Sequence, residues 1–324
     1  MERGAADAAR VRAMTFDQCA DAFVAAQEAG WRNAKHRAQW VATLATYASP
    51  VFGKLPVHEV DQALVLKVLE PIWRTTNETA SRLRGRIEKV LDYAASRGLR
   101  TGENPARWKG HLALHLPAPG KVAPVTHHAA LPYAGMGVLM VELRAVEGVG
   151  ARCLEFTILT AARTGEAIGA EWAEIDLEAG TWTVPGARMK AGREHRVALS
   201  PTAVALLEAL PRLDDARWVF PGRGTGKPLS NMTMTKVLRS MGRDSLTVHG
   251  FRSTFRDWAA EVSNFPHEMS EMALAHTVGN KVEAAYRRGD MIEKRRAMMT
   301  AWADHSGRVP DPAGVVVPIR ARVG

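Results

Sequence analysis

Several features that define other classes of protein are scarce or absent in this sequence. The chain has only two cysteines, Cys19 and Cys153, which are too few and too far apart for a disulfide framework. No apolar run reaches transmembrane length, and the N-terminus lacks the apolar core of a secretory signal peptide. We find no internal repeat and no glycine-rich nucleotide loop. These absences predict a cytoplasmic protein in a reducing compartment, without a membrane partner.

Positive charge is the clearest excess in the composition. The 43 Lys and Arg residues outnumber the 34 Asp and Glu residues, which gives a net charge of +9 and a pI of about 9.8. This balance favours a polyanionic partner, with nucleic acid first. A generically basic, Arg-rich protein is the alternative that charge alone leaves open. The length of 324 residues is enough for two domains with separate cores.

The N-terminal third has the pattern of a helical bundle. Residues 1–13 are interpreted as a disordered tail or the remnant of a linker, and a capping-box pattern at Thr15 precedes the first of four amphipathic segments. These segments cover about 16–30, 33–49, 58–73 and 76–98, and they predict a helical, core-type DNA-binding domain over 14–110. Basic side chains on two of them are candidates for contacts with the DNA backbone, with a solvated helix face as the alternative. They are Lys35, Arg37, Arg82, Arg84, Arg86 and Lys89.

A linker and a second domain follow. Residues 111–130 lie in a Pro- and Gly-containing stretch with little periodicity, and the adjacent His127 and His128 lack the partners of a metal site. The next domain, 131–308, is predicted to be mixed α+β, and 309–324 a disordered tail. The predicted helices of the 131–308 domain cover 132–146, 150–176, 201–210, 230–241 and 291–305. Residues 181–184 and 196–199 are predicted to form a hairpin, and 218–222 a short strand. The fold class is therefore mainly α with a small β-hairpin or sheet.

Phosphate chemistry is concentrated between His249 and Tyr286. His249 and Arg252 lie three residues apart with helical spacing, so both side chains should project from one face and meet the same ligand. Downstream, His276 follows an apolar run, and Tyr286 is followed directly by two arginines. A free tyrosine has a pKa of about 10, so attack by its oxygen at neutral pH requires nearby cations or a base. Ordinary packing of the Tyr286 ring is the alternative.

Two further candidates lie upstream. Arg163 precedes Glu166 by three residues, so on a helix the carboxylate could brace the guanidinium. A purely structural ion pair is equally compatible with that spacing. Lys190 lies in the loop of the predicted hairpin, where a flexible ammonium group can reach a ligand or remain solvated.

Taken in order, these residues resemble the tyrosine recombinase family, the phage integrases. The resemblance rests on six motif residues with the family's approximate spacing, and it covers about 131–305, while 14–110 resembles the family's core-binding domain. The six residues are Arg163 in TAARTGE, Lys190 in MKAGREHRVALS, His249 and Arg252 in HGFR, His276 in LAH and Tyr286 in AAYRR.

The resemblance implies a site-specific recombinase or integrase of a prophage or genomic island. Tyr286 would attack a DNA phosphate to form a 3′-phosphotyrosyl link, which a second strand reverses, without a metal or cofactor. Arg163 and Arg252 would clamp the phosphate, and Lys190 would protonate the leaving oxygen. His249 and His276 would orient the phosphate, and Glu166 would support Arg163.

The resemblance also implies partners. Double-stranded DNA attachment sites are expected, with a homotetramer on paired sites and accessory DNA-bending or directionality proteins as further partners. Related integrases usually carry an arm-binding domain ahead of the core-binding domain. Here the ordered chain is expected to begin almost directly at the bundle, so residues 1–13 are interpreted as the end of a truncated linker.

Three other functions are compatible with parts of this pattern. A type IB topoisomerase would use a similar Arg, Lys, His and Tyr set but would reseal the same strand. A catalytically silent DNA-binding remnant would need neither Tyr286 nor Lys190. A metal nuclease would need convergent carboxylates, and Asp244, Asp257 and Glu261 have no spacing that argues for such a site.

Overall fold

The structure is a computed structural model that describes residues 14–31, 34–122, 129–212, 216–224, 226–276 and 289–309. The chain divides into two compact units, Met1–Thr126 and His127–Gly324, each with its own hydrophobic core. The described residues are mostly helical with one small antiparallel sheet, which confirms the predicted fold class. Among them, no helix combines the length and the apolar character that a membrane span needs.

The first unit is built from helices whose starts follow local sequence signals. They are α1 (Phe16–Gln27), α2 (Ala34–Tyr47), α3 (Gln62–Trp73), α4 (Asn77–Ser96) and α5 (Pro119–Val122). The predicted capping box is present, since Gln18 N donates to Thr15 Oγ1 at 3.3 Å and Thr15 N donates to Gln18 Oε1 at 3.0 Å. Asp61 is the N-cap residue of α3, and its carboxylate accepts from Leu64 N at 2.9 Å.

Helix α4 is central to this unit and packs against α1, α2 and α3. Leu83, Ile87 and Leu91 recur every fourth residue along it and are fully buried, which is the pattern of a core-facing stripe. Leu112 and Leu116, downstream of α4, are also buried in this core. The basic residues of α4 lie outside this stripe.

The second unit is organised around α7, which is buried along nearly all of its length. The helices of this unit are α6 (Met136–Ala145), α7 (Val149–Thr160), α8 (Thr164–Ile168), α9 (Pro201–Glu208), α10 (Thr233–Ser240), α11 (Gly250–Glu261), α12 (His267–Ala273) and α13 (Ile292–Gly307). Helices α6, α9, α10 and α13 pack on α7. Trp302 of α13 donates its indole N–H to the Ile158 carbonyl at 2.9 Å, so the last helix is fixed to the centre of the unit.

The predicted hairpin is present and gains a third strand. Strands β1 (Ile175–Asp176), β2 (Thr181–Val184) and β3 (His195–Ala198) form an antiparallel sheet in that order. The register pairs Trp182 with both Ile175 and Val197. The hairpin loop that carries Lys190 therefore connects β2 and β3.

Two sequence predictions in this unit were wrong. The continuous helix predicted over 150–176 ends at Thr160, because Ala161 adopts a left-handed conformation with φ 50° and turns the backbone before α8. The short strand predicted at 218–222 is reduced to isolated bridges at Trp218 and Pro221. A proline has no N–H to donate, so Pro221 cannot extend a regular ladder.

Candidate active site

Arg163 lies at the start of α8 and is braced by Glu166. Its Nη1 donates to Glu166 Oε1 at 2.8 Å, and its backbone N–H donates to Glu166 Oε2 at 3.0 Å. The pairing of the two side chains agrees with the sequence-based expectation, but the continuous helix assumed for it was wrong: Arg163 is the N-cap residue of α8. The carboxylate thus holds both the backbone and the guanidinium of Arg163.

Arg252 is buried in the first turn of α11, with a relative exposure of 5%. Its Nη1 donates to the Ala161 carbonyl, and its Nη2 donates to the Leu274 carbonyl at 2.6 Å. Burial, followed by the nearby charge of Arg163, lowers the pKa of Arg252 to about 10. The side chain is still a cation at neutral pH, and backbone carbonyls satisfy part of its donor set.

The turn after α12 brings the two arginines together. Arg163 Nη2 also approaches the Leu274 carbonyl at 3.3 Å and the Ala275 carbonyl at 3.4 Å. Ala275 has φ 50°, and this left-handed residue directs the chain back towards the arginines. Three segments that are distant in sequence therefore meet around one carbonyl oxygen.

His276 joins this cluster immediately after the turn. Its Nε2 lies 3.2 Å from Arg252 Nη2, and its Nδ1 lies 2.9 Å from Glu271 Oε2. The imidazole is 37% exposed, so it stands between the buried arginine and the solvent. Sequence reasoning identified His276 but missed Glu271, which lies on α12.

His249 and Lys190 are both exposed to solvent. His249 is the N-cap residue of α11, one turn before the buried Arg252. A ligand shared by the side chains of His249 and Arg252 stays a prediction. Lys190 lies in the β2–β3 loop, just after a 3₁₀ turn at Gly186–Arg188.

The base of the Lys190 loop is fixed by Arg188, which sequence reasoning also missed. Arg188 Nη2 donates to the Glu166 carbonyl at 2.6 Å, and its Nη1 is paired with Glu174. A Cβ added at Gly186 would lie 2.9 Å from the Gly192 carbonyl oxygen, so the two sides of the loop approach closely there. The loop is thereby connected to the same α8 turn that holds Arg163.

The strand that follows this loop is linked to the start of α13. Buried Arg295 donates to the Arg196 carbonyl and to the Asp290 carbonyl, both at 2.7 Å, and Arg196 pairs with Asp290 at 3.1 Å. On the same strand, His195 has a buried Nε2 that finds no hydrogen-bond partner within the described part of the chain. Burial and then the charge of Arg295 lower the pKa of His195 to about 4, so its imidazole is neutral.

Some of the predicted residues cannot be placed. Tyr286, Arg287 and Arg288 lie outside the described residues, as do His127 and His128. Of the candidate DNA contacts, the side chain of Lys35 also lies outside them. Their roles therefore stay predictions.

The candidate DNA contacts of the first unit differ in their exposure and in their partners. Arg84 is half-buried and donates to Glu88 and to the Ala106 carbonyl at 2.7 and 2.8 Å, so its contacts are internal. Arg37 and Arg82 are exposed and pair with neighbouring glutamates. Arg86 and Lys89 stack over the Trp40 ring at 5.5 and 5.8 Å, beside a shallow cavity of about 320 Å³ that Arg82 also lines. Beside this cavity Arg82 and Lys89 are exposed and could reach a ligand. Arg86 is buried and donates to the Gln39 carbonyl at 2.7 Å and to Thr43 Oγ1, so its predicted contact with the DNA backbone was wrong.

One of the carboxylates considered for a metal nuclease, Glu261, has a hydrogen-bond partner on another element. Glu261 accepts a hydrogen bond from Tyr133 Oη at 2.9 Å. Within the described ranges, no group of three or more His, Cys, Asp or Glu side chains has the arrangement of a metal site. Comparison with known proteins gives a family instead.

Two family models match the chain in the same order as the two units. The phage integrase central domain matches residues 16–111, and the phage integrase family matches residues 140–292, a range that includes all six motif residues. The prophage integrase IntA of Escherichia coli (strain K12) is 36% identical over 261 residues, which are 79% of this chain and 61% of IntA. The prophage integrase IntZ of the same organism is 33% identical over 292 residues, which are 89% of this chain and 70% of IntZ.

A solved structure shares the fold across both units. The lambda integrase tetramer bound to a Holliday junction matches with a TM-score of 0.64 at 13% identity, over 83% of this chain and 80% of that one. This chain spans 61% of the length of IntA and 70% of the length of IntZ. With its two family models and its similarity to IntZ, this chain belongs to the phage integrase family.

Proposed function

We propose that this chain is a tyrosine-type site-specific DNA recombinase, which cleaves DNA through Tyr286 and rejoins the broken strand to a new partner. The observation that carries the proposal is the convergence of Arg163 and Arg252 on the Leu274 carbonyl, with His276 beside Arg252. Two forked guanidinium groups and an imidazole in one place are suited to a phosphate. Membership of the phage integrase family also supports a recombinase.

The reaction exchanges one phosphodiester for another. The Tyr286 oxygen forms a bond to phosphorus while the bond between phosphorus and the 5′ oxygen breaks, which leaves a 3′-phosphotyrosyl link and a 5′-hydroxyl. The phenol loses a proton and the leaving oxygen gains one, so no oxidant, reductant or nucleotide is consumed. A 5′-hydroxyl from a second strand then attacks the link and releases the tyrosine.

The two arginines would stabilise the charge that develops on the non-bridging oxygens. Each guanidinium has five N–H donors, and the carbonyls of Ala161 and Leu274 occupy only part of the Arg252 set. The remaining donors are held in a fixed orientation before DNA arrives. Preorganised donors of this kind lower the barrier because they need not reorient during the reaction. Glu166 contributes by holding Arg163.

Lys190 would donate the proton to the leaving 5′ oxygen. This step requires a mobile donor, and Lys190 is exposed on a loop whose base Arg188 fixes. His249 would contact the phosphate from the start of α11, where the helix dipole favours an anion. His276 would orient the phosphate through Arg252, whose Nη2 lies 3.2 Å from the His276 Nε2.

The proposed partner is a double-stranded attachment site, with four copies of the chain on two paired sites. The lambda integrase that shares this fold was solved as a tetramer on a Holliday junction, which supports that assembly. The surface of exposed Arg82 and Lys89 beside the Trp40 ring would contact the DNA backbone. Accessory DNA-bending or directionality proteins are further proposed partners. The proposed location is the cytoplasm, and the proposed source is a prophage or genomic island.

Type IB topoisomerase activity is the second candidate function, because it would use the same phosphate-binding side chains. It differs in the outcome, since a topoisomerase reseals the original strand without a second site. A silent DNA-binding remnant would show neither cleavage nor rejoining.

Trapping of the covalent intermediate separates these functions. Purified chain is incubated with sheared DNA from its source genome in chelating buffer and denatured, and the protein-linked fragments are sequenced, with Tyr286→Phe in parallel. We expect adducts in the wild type only, with free 5′-hydroxyl ends that recur at one sequence. Scattered adducts would favour the topoisomerase, and salt-sensitive DNA binding without adducts would favour the silent remnant.

A further inference from the structure

Glu271 on α12 lies between His276 of the candidate active site and two further basic side chains. Its Oε2 accepts from His276 Nδ1 at 2.9 Å, and its Oε1 lies 2.9 Å from Arg256 Nε and 3.9 Å from His267 Nε2. The carboxylate is only 15% exposed. Burial opposes its ionisation, but the hydrogen bond from His276 and the charge of Arg256 outweigh burial and keep the pKa of Glu271 below its usual value. Glu271 is therefore a carboxylate at neutral pH.

The contacts on the two sides of His276 define its tautomer. A guanidinium has donors only, so at 3.2 Å from Arg252 Nη2 the His276 Nε2 must accept. The hydrogen of the neutral ring is then on Nδ1, where it faces the Glu271 carboxylate. The opposite tautomer would bring two N–H groups together at Arg252 and would leave the carboxylate facing a lone pair.

The left-handed turn makes this contact possible. In a continuous helix a side chain meets those three or four positions away, whereas Glu271 and His276 are five residues apart. Ala275, with φ 50°, ends the helical path and brings the imidazole back over the last turn of α12. The same turn exposes the Leu274 carbonyl to both arginines.

Resting on the proposed function, we infer that Glu271, which forms an ion pair with Arg256, is a positioning residue of the recombinase. It fixes His276 with the hydrogen on Nδ1, and His276 in turn holds the Arg252 fork for the scissile phosphate. The order of contacts is Arg256 to Glu271, Glu271 to His276, and His276 to Arg252. Glu271 itself would not touch the DNA phosphate.

The tautomer can be measured without DNA. In protein with ¹⁵N-labelled histidines, the His276 ring is assigned from the signals that disappear in His276→Gln. For the neutral ring of the wild type we expect a protonated, pyrrole-type Nδ1 and a pyridine-type Nε2. In Glu271→Gln we expect a mixture of the two tautomers. A predominant Nε2–H form in the wild type, or no change in Glu271→Gln, would overturn the inference.

The kinetic test uses the single-turnover rate of adduct formation together with DNA affinity. Glu271→Gln should lower the rate on the order of 10- to 100-fold, by analogy with the loss seen when the hydrogen-bond partner of a metal-ligating histidine is removed. DNA affinity should be unchanged, because many other phosphate contacts supply it. The matched control is Glu208→Gln, an exposed glutamate on α9, which should react at the wild-type rate.

A double-mutant comparison separates positioning from general destabilisation. If Glu271 acts through His276, then Glu271→Gln should have almost no further effect in a His276→Ala background. Additive losses would refute the proposed order of contacts. Should Glu271→Gln fold poorly, Arg256→Gln changes a half-exposed partner and should give a smaller loss of the same kind. If the wild type itself forms no adduct, the proposed function fails while the tautomer measurement still stands.

Discussion

Arg163 and Arg252 donate to the same acceptor, the Leu274 carbonyl oxygen, at 3.3 and 2.6 Å. Two guanidinium groups this close repel each other, which is one reason why the pKa of Arg252 is lowered. The shared carbonyl and the Glu166 carboxylate offset this repulsion before DNA binds. We propose that the guanidinium donors left over by these contacts receive the scissile phosphate.

Replacing Arg252 with lysine tests the need for a forked donor. Arg252→Lys keeps a positive charge but cannot span the Ala161 and Leu274 carbonyls while contacting a phosphate. We expect the single-turnover cleavage rate to fall on the order of 10²- to 10³-fold, with little change in DNA affinity. The control Arg239→Lys, on the exposed side of α10, should behave as the wild type. Equal losses in the two variants would contradict this role.

The role of Lys190 can be tested by changing the leaving group. Lys190→Ala should cleave ordinary DNA slowly, because the departing 5′ oxygen lacks a proton donor. A substrate with 5′-bridging sulfur should restore its rate towards that of the wild type, because a thiol has a pKa of only about 8.5 and leaves without protonation. Rates are measured on both substrates for both proteins. No preferential recovery would argue against Lys190 as the acid.

Strain at the active-site turn should appear as a gain in stability on substitution with glycine. Ala275 has φ 50°, a region that disfavours side chains but suits glycine. We expect Ala275→Gly to raise the free energy of unfolding by up to about 1 kcal/mol, measured by urea denaturation. Ala205→Gly, at an exposed interior position of α9, should lower it by about the same amount. A loss of stability in Ala275→Gly would contradict the strain.

His195 should make the fold sensitive to acid. Burial lowers its pKa from 6.5 to about 4, so between these values the unfolded chain binds a proton that the folded chain does not. Stability from this residue is complete above pH 6.5 and decreases as the pH falls towards 4, by at most about 1.4 kcal/mol per unit. His195→Gln should lose less stability than the wild type between roughly pH 7 and pH 5, a range that covers the upper part of this window. Parallel losses by urea denaturation would exclude a buried neutral histidine.

The helices were largely predictable because their stripes of buried residues have the helical period. The capping box at Thr15 and the hairpin around Lys190 also carry local signals that the structure confirms. The break at Ala161 carries none, since neither glycine nor proline interrupts the apolar run there. It depends on a distant partner, because the carbonyl that it exposes accepts from Arg252.

The site was predictable for residues with distinctive chemistry and not for those that support them. Arg163, Arg252 and His276 were identified by residue type and order, and the structure brings these three together. Glu271 was missed because its five-residue separation from His276 fits no helical contact. Arg188 and Arg295 were missed because they bind backbone carbonyls, which sequence patterns do not display.

The decisive measurement of the proposed role of Tyr286 is to identify the residue that is joined to DNA. The trapped complex is digested with nuclease and protease, and the nucleotide-bearing peptide is sequenced by mass spectrometry. We predict one modified peptide, with the nucleotide attached through its 3′ phosphate to Tyr286. Attachment to another residue, or through a 5′ phosphate, would contradict a 3′-phosphotyrosyl intermediate at Tyr286.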